Sequence, residues 1–539
     1  MDSRMDPVGR KARRQYILMT AVTVALASTL ALKLMWFRSG PLTIQDKVFG
    51  ILVVLACVYT QTEPRGWHEY YRKNAQNGCV PLPAYPNNQF GLRYFLESAR
   101  SIRTHTLLES RNQCFTELGH TFIHKLFPEI SLTINTNDPD NVKTILATSF
   151  EDWDIPRTRI QGLLPLLGRH SIFMTNGPEW QHARAMLRPA FVRDQISDIR
   201  CFDKHISKMI DRVPKDGRPF DLQALFAMLT IDTISDFMFG QSTDILGTAP
   251  ANALEFGACF DRSTYQVAKR ARLGWLTQRL PDRGLKADTD FLKKYVVEYV
   301  EDVKRLNEKG MGMQAESRKY VFLNELLQSG EPDEVIRDQL LSIFLAGRDT
   351  TTSVLSYLFA QLSRHPDVVA KIQLEIQDLG EPNPSWEQLR GMKYLNGAIK
   401  EALRLNPPVA TNAREAVRDT ILPMGGGPDG KSPTFIPKGT LARYQPWSMH
   451  RREDVYGSDA NEFRPERWQD LRVTFQYLPF NAGPRICIGQ QFALTQIAFI
   501  TFRILQAFKT IESRDDRPVI LKLGTNTSML HGCWVSMTM

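Results

Sequence analysis

The stretch FNAGPRICIG, Phe480 to Gly489, sets one cysteine among two glycines, a proline and an arginine. Its defined residues, Phe480, Gly483, Arg485, Cys487 and Gly489, follow the pattern F-x-x-G-x-R-x-C-x-G. Average residue usage produces that pattern in a chain of this length with a probability on the order of 10⁻⁴. A free cysteine is ordinarily a small buried hydrophobe, so the frame argues that this one does chemistry. A single thiolate on haem iron pushes electron density onto the metal and favours O–O cleavage. Such a sulfur must be held as an anion away from water. Gly483 and Gly489 would let backbone pass close to a flat macrocycle and aim N–H groups at the sulfur. Arg485 would offer a cation to a haem propionate, and Phe480 would pack beside the ligand.

Two helices are required to position this chemistry. After Gly489, apolar residues at Phe492, Ile497, Phe499, Ile500 and Ile504 recur at helical spacing, so a helix begins just past the thiol with its positive end toward the anion. Upstream, Ile336, Leu340, Phe344, Leu355, Phe359 and Leu362 mark a helix of about 30 residues, entered at Pro332 and ended before Pro366. Its middle, AGRDTTT, holds a glycine and three β-branched threonines where propensity favours alanine or leucine. A kinked packing contact is one explanation. Function is the other, because local rule-breaking inside a consistent element marks working sites, and an acid next to an alcohol can pass protons from water to bound oxygen.

Together these residues resemble the cytochrome P450 superfamily of haem-thiolate monooxygenases. The resemblance implies a mainly α fold with small β-sheets, haem b lying between the long central helix and the Cys487 loop. The family pattern A/G-G-x-D/E-T is matched by Ala346, Gly347, Arg348, Asp349 and Thr350, which makes Asp349 and Thr350 the proton relay. Relatives that esterify their haem carry glutamate at the position of Ala346, so the resemblance implies haem held by Cys487 alone. Glu401 and Arg404 in IKEALRL, with Arg467 in FRPERW, match a structural triad that fixes the loop of the ligand cysteine. Trp180 and Arg184 match the W-x-x-x-R helix, and Arg414 and His450 stand at haem-edge positions.

The 539 residues are 43% hydrophobic and carry a net charge of +9. The basic excess comes without a nucleic-acid motif and reads as a bias toward membrane and an acidic redox partner. Seven cysteines, odd and widely spaced, suggest neither a disulfide framework nor a zinc site, and no HExxH motif is present. Residues 1–15 form a basic segment, 16–60 a membrane anchor of one or two apolar segments, 61–86 a linker with a proline-rich hinge, and 87–539 the catalytic haem domain. Arg10, Lys11, Arg13 and Arg14 keep the first end cytosolic by the positive-inside rule. Two segments then return the catalytic domain to the cytosolic face of the endoplasmic reticulum membrane.

Longer blocks, LLGRHSIFMTNGPEWQHARAMLRPAF, LPMGGGPDGKSP and YGSDANEFRPERW, resemble the fungal n-alkane and fatty-acid hydroxylases from about Val80 onward. That resemblance implies a long hydrophobic substrate and pocket residues Ile172, Phe173, Phe344, Ala346, Val409, Ala410 and Leu523. It also implies electrons from NADPH through a separate cytochrome P450 reductase, with cytochrome b5 as an optional second donor. Three other activities stay open: oxidation of a fungal secondary metabolite or xenobiotic, hydroperoxide isomerisation without electron transfer, and haem sensing without turnover.

Overall fold

Thirty residues from Asp333 to Leu362 form one continuous helix around which the molecule is built. In the computed structural model, residues 69–86, 92–126, 131–191, 200–273, 281–308 and 322–539 are described. The expected membrane segments fall outside them. Pro332 caps the central helix with its fixed φ, and Asp333 and Glu334 sit in the first turn, where the helix dipole favours negative charge. About two thirds of the helix is buried, so its surroundings rather than its propensity hold the AGRDTTT turn in place.

The helix Leu222–Phe239 packs along it, and Gly347 shows how closely. A Cβ there would lie 2.5 Å from Ile234 Cδ1, so this glycine serves helix packing as well as leaving space. Leu222–Phe239 is also the one helix among the described residues that is long and apolar enough to cross a membrane. Its burial against the central helix makes it a core element. The helices Ala251–Leu273, Lys393–Leu405 and Gln490–Ala507 complete the apolar body.

A five-stranded sheet lies to one side, in the order Thr121–Leu126, Ser131–Thr136, Leu441–Tyr444, Asn412–Ala416, Trp153–Asp154. Ser131–Thr136 and Leu441–Tyr444 run parallel and the other pairs antiparallel. Smaller sheets include the hairpin Leu521–Leu523 with Thr527–Met529.

The described part of the expected linker, residues 69–86, packs into this body. Residues 69–76 are helical, and Tyr70 is buried against the sheet's core. Its hydroxyl accepts a hydrogen bond from the Leu82 N–H and bonds Thr434. The proline run that follows is not a free hinge: Ala84 bridges Ile123 in parallel, and Val80 N–H donates to the Pro433 carbonyl. Prolines lacking N–H groups are tolerated because the run lies on a sheet edge.

Candidate active site

A cavity of about 550 Å³ separates the central helix from the cysteine loop and is lined by both Thr350 and Cys487. That size lies within the roughly 300–1,000 Å³ of ordinary ligand and cofactor pockets. On the loop, Gly483–Arg485 makes a single 3₁₀ turn, and the Cys487 N–H donates to the Phe480 carbonyl at 2.9 Å. The helix Gln490–Ala507 starts immediately after, with Gly489 as its cap. Cys487 is exposed, and it lines the cavity. Burial raises the free thiol, while the Gly489 N–H and the Arg184 charge act against that rise. A bound metal ion would outweigh burial and deprotonate it.

Gly489 lines the cavity, but Gly483 does not face it as expected. Its φ is +69°, and a Cβ would overlap the Leu146 carbonyl oxygen, so it lets the loop lie against a neighbouring backbone. Gly483→Ala is therefore expected to cost about 1–3 kcal/mol or more from the left-handed backbone alone. Thermal denaturation, followed through loss of bound haem, measures it.

Four arginines converge on the cavity wall nearest the loop. Arg485 donates to the Thr175 carbonyl at 2.9 Å and Asn176 Oδ1 at 3.0 Å, and its guanidinium stacks 4.3 Å above the Trp180 ring. Arg184, one turn after Trp180, donates to the Ile486 carbonyl at 3.0 Å. Arg414, on the strand Asn412–Ala416, leaves its buried Nε without a partner. Arg159, which sequence reasoning missed, reaches Asn412 Oδ1 at 3.0 Å. Burial, reinforced by mutual repulsion, pushes Arg485 down to about 9 and Arg159 to about 10. Asp154 is the carboxylate whose charge acts against that fall at Arg485. A buried group of cations short of negative charge, with an unpaired guanidinium nitrogen, fits the two propionates of a haem. Arg184, Arg414 and Arg485 could hold them, and Cys487 could hold the iron. Nothing in the pattern RTRIQGLL marks Arg159, because its role depends on meeting a strand some 250 positions away.

His450 is not part of that group. It is fully buried outside the cavity, its Nε2 accepting from the Leu478 N–H at 2.8 Å and its Nδ1 bonding the Arg404 carbonyl at 3.1 Å. Burial pushes it down to about 3, so it is a neutral core histidine that ties two loops together.

On the central helix, Thr350 Oγ1 donates to the Ala346 carbonyl at 2.6 Å, and both residues line the cavity. Asp349 points elsewhere, since one residue turns a helix by about 100°. Arg348 Nη1 lies 3.0 Å from Asp349 Oδ1 and 2.5 Å from Oδ1 of Asp261, an exposed residue on the helix Ala251–Leu273. Burial raises the Asp349 carboxyl despite the adjacent guanidinium. The acid thus faces a path to the surface and the alcohol faces the cavity.

Ile172, Phe173, Ala346 and Val409 line the cavity, as do Trp180 and Phe480. Three expected pocket residues do not. Phe344 packs edge-on against Phe256 and Phe260, at 4.9 and 4.8 Å, on the opposite side of the central helix. Ala410 is buried in a satellite cluster with Leu108, Trp447 and Leu521, and Leu523 packs against the same cluster. The adjoining Gly524, Thr525 and Asn526 reach the cavity instead.

Behind the cysteine loop, Arg404 Nε and Nη2 donate to the two Glu401 carboxylate oxygens at 2.9 and 2.7 Å, and Arg467 Nε reaches Oε1 at 3.3 Å. All three side chains are buried. Their remaining donors take the carbonyls of His450, Ala460, Tyr456 and Asp459. The three expected residues thus form an internal brace of the segment leading to Cys487.

The cytochrome P450 family model matches residues 86–531. Cytochrome P450 monooxygenase himC of Aspergillus japonicus is 41% identical over 449 residues, 82% of this chain and 80% of its own. Cytochrome P450 monooxygenase fsdH of Fusarium heterosporum is 37% identical over 518 residues, 93% of this chain and 91% of its own. Cytochrome P450 52A5 of Candida maltosa is 38% identical over 458 residues, 80% and 86%. With the helical architecture and the cavity-lining cysteine, these matches establish that the chain belongs to the cytochrome P450 family, oxygen-incorporating oxidoreductases that work with a haem-thiolate iron.

Proposed function

We propose that the protein is a membrane-anchored monooxygenase that hydroxylates a long-chain hydrophobic substrate, a fatty acid or n-alkane, on the cytosolic face of the endoplasmic reticulum. One oxygen atom of O₂ enters a C–H bond and the other leaves as water, with two electrons from NADPH delivered by a separate reductase. The observation that carries this reading is the single cavity bounded by Thr350 on one side and Cys487 on the other. The resemblance of LPMGGGPDGKSP and its companion blocks to n-alkane and fatty-acid hydroxylases supports the substrate class.

Haem with a thiolate ligand supplies, when bound, the cleavage of the O–O bond. Cys487 furnishes that thiolate, and Arg184, Arg414 and Arg485 bind the carboxylates at the haem edge. The Thr350 hydroxyl lines the cavity and would give up its hydrogen bond to the Ala346 carbonyl to present a proton there. Asp349 holds the next one: its buried carboxyl keeps protons at a higher pH than a free aspartate does, and Arg348 links it to the solvent-facing Asp261. Apolar walls at Ile172, Phe173 and Val409 exclude water and bind the chain, at about 0.8 kcal/mol per buried CH₂.

The test incubates the full-length protein with reductase, NADPH and either a fatty acid or an n-alkane. Hydroxylated product that appears only with both reductase and NADPH supports the reading. A hydroperoxide isomerised without NADPH, or no product from any chain, overturns it. In the same assay Thr350→Ala is expected to keep consuming NADPH while product per NADPH falls by about tenfold or more. Unchanged coupling removes Thr350 from proton delivery.

A further inference from the structure

Arg272 lies in the last turn of the helix Ala251–Leu273 and lines the same cavity as Thr350 and Cys487. Its Nη1 donates to the Leu523 carbonyl at 2.7 Å and its Nη2 to the Gly524 carbonyl at 2.5 Å, which pins the guanidinium to the hairpin 521–529. Carbonyls accept those hydrogen bonds without neutralising the charge. Among the described residues no carboxylate pairs with Arg272, and Tyr265 is the only titratable group acting on it. Burial pushes it down to about 10, a large displacement for a guanidinium.

The wall beside it is apolar at Leu163, Ala268 and Ala271 and polar at Thr525 and Asn526. A guanidinium has five N–H donors in a rigid fork. Two contacts leave donors on the cavity side for an oxyanion. Arg272 is also placed apart from the haem-edge group: it is held to the hairpin carbonyls of Leu523 and Gly524, whereas Arg184 and Arg485 bond the Ile486 and Thr175 carbonyls and Arg159 bonds Asn412. The cavity therefore carries cations beyond the group that the two propionates account for: Arg272, and separately Arg111 and Arg443, which act together on Tyr94.

We infer that Arg272 anchors the carboxylate of the substrate, so that the long-chain compound of the proposed function, on which this inference rests, is a carboxylic acid rather than an alkane. Buried charge is costly unless it is paired, and a carboxylate entering with its chain along the apolar wall completes the pair. Arginine suits this role better than lysine for geometry, since it can bind both carboxylate oxygens.

The experiment titrates the purified full-length haem-loaded protein with a long-chain fatty acid, its methyl ester and the n-alkane of equal length. Binding is read from the Soret shift. The parent is expected to bind the acid at least about tenfold more tightly than the ester. Arg272→Gln is expected to erase that preference while ester affinity stays within about twofold, and Arg272→Lys to retain only part of it, because the charge survives but the two-pronged contact does not. Equal affinity of the parent for acid and ester, or an undiminished preference in Arg272→Gln, overturns the inference. So does equal loss of acid and ester binding in both variants, which would mark Arg272 as a brace for the hairpin. A parent that binds none of the three chains refutes the chain-substrate reading itself, a result distinct from the others.

Discussion

A Cys487→Ala variant is expected to lose the red-shifted Soret band of the reduced carbon-monoxide complex and about 10³-fold or more of its turnover, equivalent to about 4 kcal/mol of barrier. The effect is large because, among the cysteines whose side chains are described, none other lines the cavity. Cys79, Cys114, Cys259 and Cys533 are buried away from the cavity. Burial, with the nearby Glu255, pushes Cys259 up to about 12, and burial raises Cys533 further. Neither offers a thiolate. The difference spectrum of the parent and variant, each checked for native circular dichroism, decides the matter. A variant that keeps the red-shifted band removes Cys487 as ligand and with it the roles built around it.

Glu401→Gln is the second large effect, acting through the fold. The glutamate oxygens take donors from Arg404 and Arg467, from the Trp468 indole at 3.0 Å and from the Arg464 N–H at 3.1 Å. Glutamine keeps the shape but leaves two buried guanidiniums without their shared countercharge. Breaking such a buried network costs about 3–5 kcal/mol, a large part of the roughly 5–15 kcal/mol that holds a protein folded. The expected result is a markedly lower denaturation midpoint and a preparation depleted in haem. Arg464→Ala is the contrast. Its half-exposed pairing with Asp459 is worth less than about 1 kcal/mol, and the midpoint should barely move. Equal stability of Glu401→Gln and the parent would mean the brace is dispensable.

The features legible in sequence were those set by local spacing. Cys487 in its frame, the central helix entered at Pro332 and the Glu401–Arg404 pair three residues apart all depend on near neighbours. The failures depend on direction and on distant contacts. Phe344 shares the apolar stripe of the central helix, yet hydrophobicity does not say which side meets a cavity and which meets Phe256. Gly483 was read as yielding to a macrocycle and instead yields to Leu146. His450 carried no local mark distinguishing a ring that faces propionates from one that accepts the Leu478 N–H. The run from Cys79 to Pro86 looked like a hinge because proline is stiff and cannot donate hydrogen bonds, but a sheet edge tolerates both properties. Arg159 and Arg272 were invisible for the same reason: each acquires meaning only from partners 250 or so positions away.

Asp261 and Arg272 belong to one helix, Ala251–Leu273. Eleven positions make about three turns, which brings both residues to one side of a stiff rod, about 16 Å apart. At the helix's end Arg272 clasps the hairpin 521–529, and near its middle Asp261 holds Arg348, which also pairs with Asp349. One stiff rod thus carries both a residue of the proposed substrate anchor and a residue of the proposed proton path.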